Sequence, residues 1–458
     1  MIVSLVSLGC PRNLIDSEVL VGRLAGNSFR LQQDPAGADV VVVNTCGFID
    51  AAREESIDTI CEMLELKARG EVKGVVVAGC MVRRYGADLT RELPDVDAFL
   101  DISDYSDAPE VFRAIASRVS GSGSPGSSVA GTPFFGGGGP KTASVDLGRT
   151  LLTLPHTAYL RVSEGCDRKC SFCAIPGIRG RQRSKPIEIL MEEAEQLARA
   201  GVIELNLIGE ETTAYGSDLG MAYGEGIVVL IRALATHNSL RWIRLLYAHP
   251  GSFRPSLTRE LLENPKLVPY LDVPIQHGDD EILKRMRRGT PVDAIRRMVS
   301  SLREEVPDMT LRTTVLVGFP GETERRFGRL LALLEEARFD RLGCFAYSRE
   351  EGTDAHGLKS RVSARVAAER RRQVMTLQRE ITARRNEALV GRTLEVLIDQ
   401  VEDGLATGRT AGDAPQIDCR VELAAEGRRP GMIVDALVTG TDGYDLQARL
   451  SSPVGAGP

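Results

Sequence analysis

The sequence predicts an α/β protein in three parts: an N-terminal parallel-sheet α/β domain, a central partial (β/α)6 barrel, and a small C-terminal antiparallel β-barrel. Three observations predict it. Short apolar runs alternate with helical periodicity over residues 1–117 and again from 151, as buried parallel strands and their crossover helices require. Large apolar residues become sparse between 118 and 150. Beyond 384 the helical period gives way to strand-like segments and Gly-rich turns. At 458 residues and 43% hydrophobic content, the chain is long enough for several separate cores.

In the first part, residues 1–117, the runs Ile2–Leu8, Asp39–Val43 and Gly74–Ala78 read as parallel strands. Asp16–Leu24 and Ala51–Leu66 read as the helices between them. Residues 118–150 contain Gly121–Ser128 and Gly136–Gly139, with too little apolar surface to offset chain entropy, and read as a linker. Over 151–383 the strand candidates are Tyr159–Ser163, Ile203–Ile208, Trp242–Leu246, Leu271–Ile275, Arg312–Val317 and Arg341–Tyr347. Six βα units make an open or partial barrel, short of the eight that close one. A last helix from Ser363 to about Leu389 places Val366, Val374, Leu377 and Ile381 on one face, with its arginines read as a solvated face. In the tail, 384–454, Thr393–Asp399 and Ile433–Thr439 read as strands of a small barrel.

Charge narrows the function. A net charge of −6 argues against a general nucleic-acid binder, which is usually strongly basic. No apolar run reaches the ~18 residues of a membrane helix, and the segment Met1–Cys10 lacks the basic start of a secretory leader. The expectation is a cytoplasmic protein that meets no membrane. Nine cysteines, an odd number and widely spread, do not read as a disulfide framework. Clustered thiols in a reducing compartment more often bind metal.

Cys166-Asp-Arg-Lys-Cys170-Ser-Phe-Cys173 follows the first barrel strand. Three thiolates on one loop can hold three irons of a cubic [4Fe–4S] cluster and leave the fourth open, with Arg168 and Lys169 helping to keep the sulphurs deprotonated. The alternatives are a zinc site completed by a histidine such as His156, although the spacing differs from paired zinc knuckles, or cysteines that bind nothing. Cys10, Cys46 and Cys80 each follow an apolar run. In a parallel sheet the ligand crevice lies beyond the carboxyl ends of the strands, so the three can converge. Gly9 and Gly79 let the backbone approach closely. Taken singly, each of these cysteines reads as a small core residue, and for all three at equivalent positions the two readings stand about even. Cys61, Cys344 and Cys419 read as structural.

The spacing Cys166-x3-Cys170-x-Phe172-Cys173 resembles the signature of the radical S-adenosylmethionine superfamily, and the chain as a whole resembles its methylthiotransferases. The stretches that carry the likeness are Ser7–Leu14, Asn44–Phe48, Pro274–His277, Val317–Thr323 and Tyr347–Thr353. Cys10-Pro-Arg-Asn, Gln276-His277 and Asp413–Asp418 point to the ribosomal-protein branch, which modifies an aspartate of small-subunit ribosomal protein S-twelve. The resemblance implies two [4Fe–4S] clusters, one on Cys166, Cys170 and Cys173 that binds S-adenosylmethionine, the other on Cys10, Cys46 and Cys80 that carries or donates sulphur. It implies Phe172 near the adenine and Gly318, Gly321 and Glu322 at the nucleoside. It also implies a TRAM-type, OB-like tail, and as partners protein S-twelve, free or within the ribosomal subunit, a low-potential electron donor and a sulphur donor. Gly209-Glu210-Glu211 stands where the family usually shows Gly-Gln-Asp. A carboxylate there, Glu210 or Glu211, can accept a hydrogen bond from the methionyl ammonium.

Two other functions compete. A transfer-RNA methylthiotransferase would perform the same chemistry on adenosine. Against it, the tail from Arg385 to Pro458 holds seven arginines and twelve acidic residues, a net −5, which suits a basic protein better than RNA phosphates. A non-catalytic iron–sulphur or zinc adaptor would need no barrel-shaped cofactor site.

Overall fold

The computed structural model describes residues 1–27, 29–102, 105, 108–119 and 145–451. The linker expected at 118–150 lies outside the described residues from 120 to 144. Its far end is anchored: Asp146 is buried and accepts hydrogen bonds from Arg161 and from Lys185 Nζ at 2.7 Å.

The first domain runs β1 (Ile2–Ser7), α1 (Pro11–Ala25), β2 (Arg30–Gln32), β3 (Val40–Thr45), α2 (Asp50–Ala68), β4 (Gly74–Gly79), α3 (Cys80–Glu92), β5 (Ala98–Leu100) and α4 (Ala108–Val119). Its five strands are all parallel, in the order β2-β1-β3-β4-β5. Every residue of β3 and β4 is buried because helices cover both faces. Val40, Val42, Val76 and Ala78 pack towards Leu20 of α1 and Phe112 of α4. Val41, Val43, Val75 and Val77 face the other way, towards Ile60 of α2 and Leu89 of α3. The period-2 alternation thus feeds two cores from one strand. The edge strands β2 and β5, three residues each, are too short to show a pattern in sequence.

The central domain is a six-stranded parallel sheet, β13-β12-β11-β10-β9-β6, as six βα units predicted. In chain order it is built from β6 (Thr157–Arg161), β7 (Ser163–Glu164), α5 (Ile175–Arg179), β8 (Arg183–Ser184), α6 (Ile187–Arg199), β9 (Glu204–Ile208), α7 (Gly226–Ala235), β10 (Trp242–Leu245), α8 (Pro255–Glu263), β11 (Leu267–Asp272), α9 (Asp280–Arg285), α10 (Val292–Glu305), β12 (Thr310–Val317), α11 (Glu324–Ala337) and β13 (Arg341–Ala346). The strand expected at Leu271–Ile275 lies about four residues earlier, as β11. Pro274 has no N–H for a ladder, and Gln276 takes a φ of +70°.

The closing helix α12 (Ala364–Glu387) is capped by Ser363, whose Oγ accepts from Val366 N–H at 3.4 Å. Its arginines are not all solvated as expected. Arg370 is buried and donates to Glu322 Oε2 at 3.0 Å. The tail is a closed five-stranded barrel of β14 (Thr393–Glu402), β15 (Leu405–Thr410), β16 (Val421–Ala424), β17 (Ile433–Thr441) and β18 (Leu446–Leu450), ordered β14-β15-β16-β18-β17. It is mixed, where an antiparallel one was expected: β16 and β18 run parallel. An odd number of strands cannot close a ring with every neighbour antiparallel. No helix among the described residues is long and apolar enough to cross a membrane.

Candidate active site

Cys10, Cys46 and Cys80 stand at the carboxyl ends of β1, β3 and β4, three neighbouring strands. Cys10 caps α1, Cys46 follows β3, and Cys80 opens α3. The backbone is shaped around them. Gly9 has a φ of +93°, and a side chain there would meet Cys46 Cβ at 2.9 Å. Gly79, with φ +99°, would meet Asn44 Oδ1 at 2.2 Å. Asn13 ties the strand ends together, donating to Thr45 O at 2.8 Å and Leu8 O at 3.1 Å while accepting from the Cys80 thiol at 3.2 Å.

Two guanidiniums face this trio. Arg179, from the end of α5, donates to Asp16 Oδ2 at 2.6 Å and to Cys80 Sγ at 3.3 Å. Burial pushes the Cys10 thiol up, but Arg12 and Arg179 outweigh it and hold Cys10 below the ordinary thiol value. Burial wins at the others: Cys46 is raised, and Cys80 is pushed up to about 12.

The second trio lies on the loop between β7 and α5. Cys166 is anchored by its N–H to Gly180 O at 3.1 Å, and Cys173 N–H donates to Cys170 O at 3.2 Å. Arg168 and Lys169 were expected to help keep these sulphurs deprotonated, and Arg168 does so through its backbone N–H, which pulls Cys166 down against the larger upward push of burial. Its guanidinium is committed to Glu211 at 2.6 and 2.8 Å, and to Tyr223 and Ser252. Only its backbone N–H reaches Cys166 Sγ, at 3.4 Å. Burial pushes Cys166 up to about 12 and Cys173 to about 11. The cation that touches this loop's sulphur is Arg288, whose Nη1 lies 3.4 Å from Cys170 Sγ.

The loop is a thin wall between two spaces. An open cavity of about 910 Å³ lies on one side, lined by all three cysteines with Lys169 and Arg181. A more enclosed cavity of about 420 Å³ lies on the other, again lined by all three, and it also reaches Cys10. Phe172, Glu210 and Glu211 line this inner cavity as well. Gly318, Gly321 and Glu322 do not line it. Glu322 is spent on the Gly318 N–H, Arg370 and His277 Nε2, the last at 3.2 Å. Its turn braces α12, and the preceding strand instead lends the cavity Thr314 and Leu316.

The two carboxylates after β9 differ. Glu211 accepts from Arg168 and Ser252, which hold it down to about 2 against the upward push of burial. Neither oxygen of Glu210 has a hydrogen-bond partner among the described residues. Arg12 and Arg179 stand off at 3.6 and 3.8 Å, and burial raises its pKa. His249, 4% exposed, accepts from Gly251 N–H through Nδ1 at 3.0 Å. Its Nε2 therefore carries the proton, and no group among the described residues accepts it. Burial and Arg288 lower its pKa to about 3, so the ring is neutral.

Sequence reasoning missed Arg179, Tyr247 and His249. The strand-end argument that found Cys10, Cys46 and Cys80, applied to β10, would have reached Tyr247-Ala-His249.

The donor chemistry, two trios of soft cysteine sulphurs with unspent polar atoms nearby, suits iron–sulphur ligation and a polar ligand. Among the described residues, no three Cys, His, Asp or Glu side chains are drawn together to hold one metal ion. A cubic cluster spreads its thiolates over separate corner irons and needs them farther apart than a single zinc does. The unspent Glu210 oxygens and His249 Nε2–H are polar atoms that a ligand would satisfy.

Comparison with known proteins agrees. Residues 160–334 match the Radical SAM superfamily, residues 3–101 the uncharacterized protein family UPF0004, and residues 390–450 the TRAM domain. The ribosomal protein uS12 methylthiotransferase RimO of Sorangium cellulosum is 44% identical, over 98% of this chain and 90% of its own length. That of Geobacter sulfurreducens is 42% identical, covering 98% of each chain. The solved radical S-adenosylmethionine methyltransferase TsrM from Kitasatospora setae shares the fold at 17% identity. Its TM-score is 0.53, covering 75% of this chain and 72% of that one. Alike from end to end to such relatives, and with a radical SAM sheet bearing its cysteine loop, the chain belongs to the radical SAM methylthiotransferase family of enzymes.

Proposed function

We propose that this enzyme places a methylthio group on an aspartate of ribosomal protein uS12, using S-adenosylmethionine and two [4Fe–4S] clusters, one on each cysteine trio. The relatives of both species are named as ribosomal protein uS12 methylthiotransferases, which supports the reaction and the protein substrate. The observation that carries the reading is the inner cavity, whose wall includes Cys10 of one trio and Cys166, Cys170 and Cys173 of the other. When bound, the cluster and S-adenosylmethionine supply one-electron cleavage of a sulphonium and hydrogen removal from an unactivated carbon.

The chain's own residues do the rest. Cys166, Cys170 and Cys173 would hold the cluster as thiolates, and with three protein ligands it would keep a site for S-adenosylmethionine. Phe172 presents an apolar face for the adenine. Glu210 stands ready to accept from the methionyl ammonium, the role expected of the Gly209-Glu210-Glu211 stretch, while Glu211 holds Arg168 in place. The cavity is shared by residues of both cysteine trios. The domain division is 1–117, 118–150, 151–383 and 384–454. A low-potential electron donor and a sulphur donor complete the reaction, and the enzyme works in the cytoplasm beside the ribosome, where thiols stay reduced.

The charge of the tail gives weaker support for the protein substrate than its sequence indicated. Asp413 and Asp418 are spent on Arg341 and Arg312 of the central sheet, and Asp399 on His156 and Arg409. The stretch Asp413–Asp418 is therefore a clamp between domains.

Two measurements test the reading. Mass spectrometry of uS12 from cells with and without the enzyme is expected to show methylthio-aspartate only with it. Methylthio-adenosine in transfer RNA instead would replace the substrate. Glu210→Gln, which cannot offer a carboxylate to an ammonium, is expected to weaken S-adenosylmethionine binding about 10-fold or more. Unchanged affinity by equilibrium dialysis would remove Glu210 from that role.

A further inference from the structure

We propose that Arg12 recognises the carboxylate of the substrate aspartate and holds its β-carbon between the two cysteine sites. The inference rests on the aspartate substrate proposed above. In an aspartate side chain the carbon that bears hydrogen is Cβ, one bond from the carboxylate. Any reaction at Cβ therefore brings a full negative charge to the place where the radical and sulphur sites meet. A charge drawn out of bulk water into such a cavity needs a partner.

The cavity wall offers three cations: Arg12, Arg168 and Arg288. Arg168 is taken, with Nε and Nη2 on Glu211 at 2.6 and 2.8 Å. Arg288 gives Nη2 to Pro274 O at 2.6 Å and Nη1 to Cys170 Sγ at 3.4 Å. Arg288 Nε has no partner among the described residues, but Arg12 is the cation with capacity left that stands beside Cys10. Its Nη1 donates to Gly209 O at 2.7 Å, and none of the described residues accepts from Nη2. Its nearest carboxylate, Glu210, stands 3.6 Å away, beyond hydrogen-bond reach.

Position makes the same case. Arg12 lies two residues after Cys10, in the first turn of α1. It stretches from the N-terminal domain to the central one, stacking on the Tyr247 ring at 4.5 Å. Tyr247 holds that pose from a φ of +58°, with its N–H on Asp272 Oδ2 at 3.3 Å. The guanidinium is thus fixed beside the sulphur site and faces the space that the Cys166 loop also lines. A planar fork pairs with a carboxylate and repels an amide's NH2, so Arg12 selects aspartate over asparagine.

The test measures binding, not turnover. Cluster-loaded protein with S-adenosylmethionine and no reductant is titrated, by fluorescence anisotropy, with uS12 peptides carrying the target aspartate or asparagine in its place. The parent is expected to bind the aspartate peptide about 30-fold or more tightly than the asparagine peptide. Arg12→Met brings that ratio close to one, and Arg12→Lys keeps part of it, because the charge remains while the fork is lost. A ratio of dissociation constants does not depend on the fraction of protein correctly loaded, so incomplete cluster assembly in a variant does not imitate the result. Arg12→Gln reads the same ratio if Arg12→Met fails to fold. A variant that keeps the parent's ratio overturns the role of Arg12 alone. A parent that binds neither peptide, or both equally, overturns the aspartate substrate itself.

Discussion

Replacing Cys10, Cys46 and Cys80 together by Ala is expected to halve the iron of the anaerobically reconstituted protein, from about eight per chain to about four. It is expected to abolish methylthio transfer while leaving formation of 5′-deoxyadenosine. The reason is geometric. The three thiols sit at the ends of β1, β3 and β4, in the N-terminal sheet, whereas the Cys166 loop belongs to the central sheet. Each trio can therefore be emptied without dismantling the other. Iron analysis paired with chromatography of the nucleoside checks the prediction. Full iron in the triple variant would show that the strand-end cysteines hold no cluster. Loss of 5′-deoxyadenosine along with methylthio transfer would show that the two sites are not separable.

Glu204→Gln is expected to destabilise the protein by about 3–5 kcal/mol, because it leaves the buried Arg244 guanidinium without a counter-charge and Arg409 with Asp399 alone. Glu204 is fully buried at the seam between the central sheet and the C-terminal barrel. It accepts from Arg409 Nη2 at 2.8 Å, Arg244 Nη2 at 3.2 Å and Thr157 Oγ1 at 2.6 Å. Burial pushes its carboxyl up, but Arg409 and Arg244 hold it down to about 2. A folded-state pKa below the unfolded one, about 4.3, means that the contribution is complete above the unfolded value. It is lost as the pH falls from there through about 2. That contribution amounts to about 3 kcal/mol. Urea midpoints compared between pH 6 and pH 3 should fall less in Glu204→Gln than in the parent. Equal acid sensitivity in the two would contradict the assignment.

The legible part of this protein was whatever repeats a pattern or stands at a fixed place in one. Valine runs such as Val40–Val43 announced buried strands, and their ends announced Cys10, Cys46 and Cys80. The loop spacing of Cys166, Cys170 and Cys173 needed no three-dimensional information. Long-range pairing was not legible. Arg370 reads as one arginine among many on an exposed helix face, and only packing shows it on Glu322. Glu350 sits in a motif the sequence displays plainly, yet its role is to receive Arg84 at 2.9 Å and the Asp50 N–H at 3.1 Å from the other domain. Arg12 was visible beside Cys10, but its freedom follows from where Gly209 and Tyr247 happen to stand. The parallel β16–β18 pair was hidden for a similar reason, since ring closure is a property of all five strands at once.

Both clusters opening on one cavity is the claim from which the rest follows. Electron paramagnetic resonance of the fully loaded, reduced protein tests it most directly, against the summed spectra of two variants. One has Cys10, Cys46 and Cys80 replaced, the other Cys166, Cys170 and Cys173. Neighbouring paramagnetic clusters perturb one another, so the wild-type spectrum is predicted to differ from that sum, and added S-adenosylmethionine to shift the component that survives in the first variant. A wild-type spectrum equal to the sum, with no response to S-adenosylmethionine, would contradict the account.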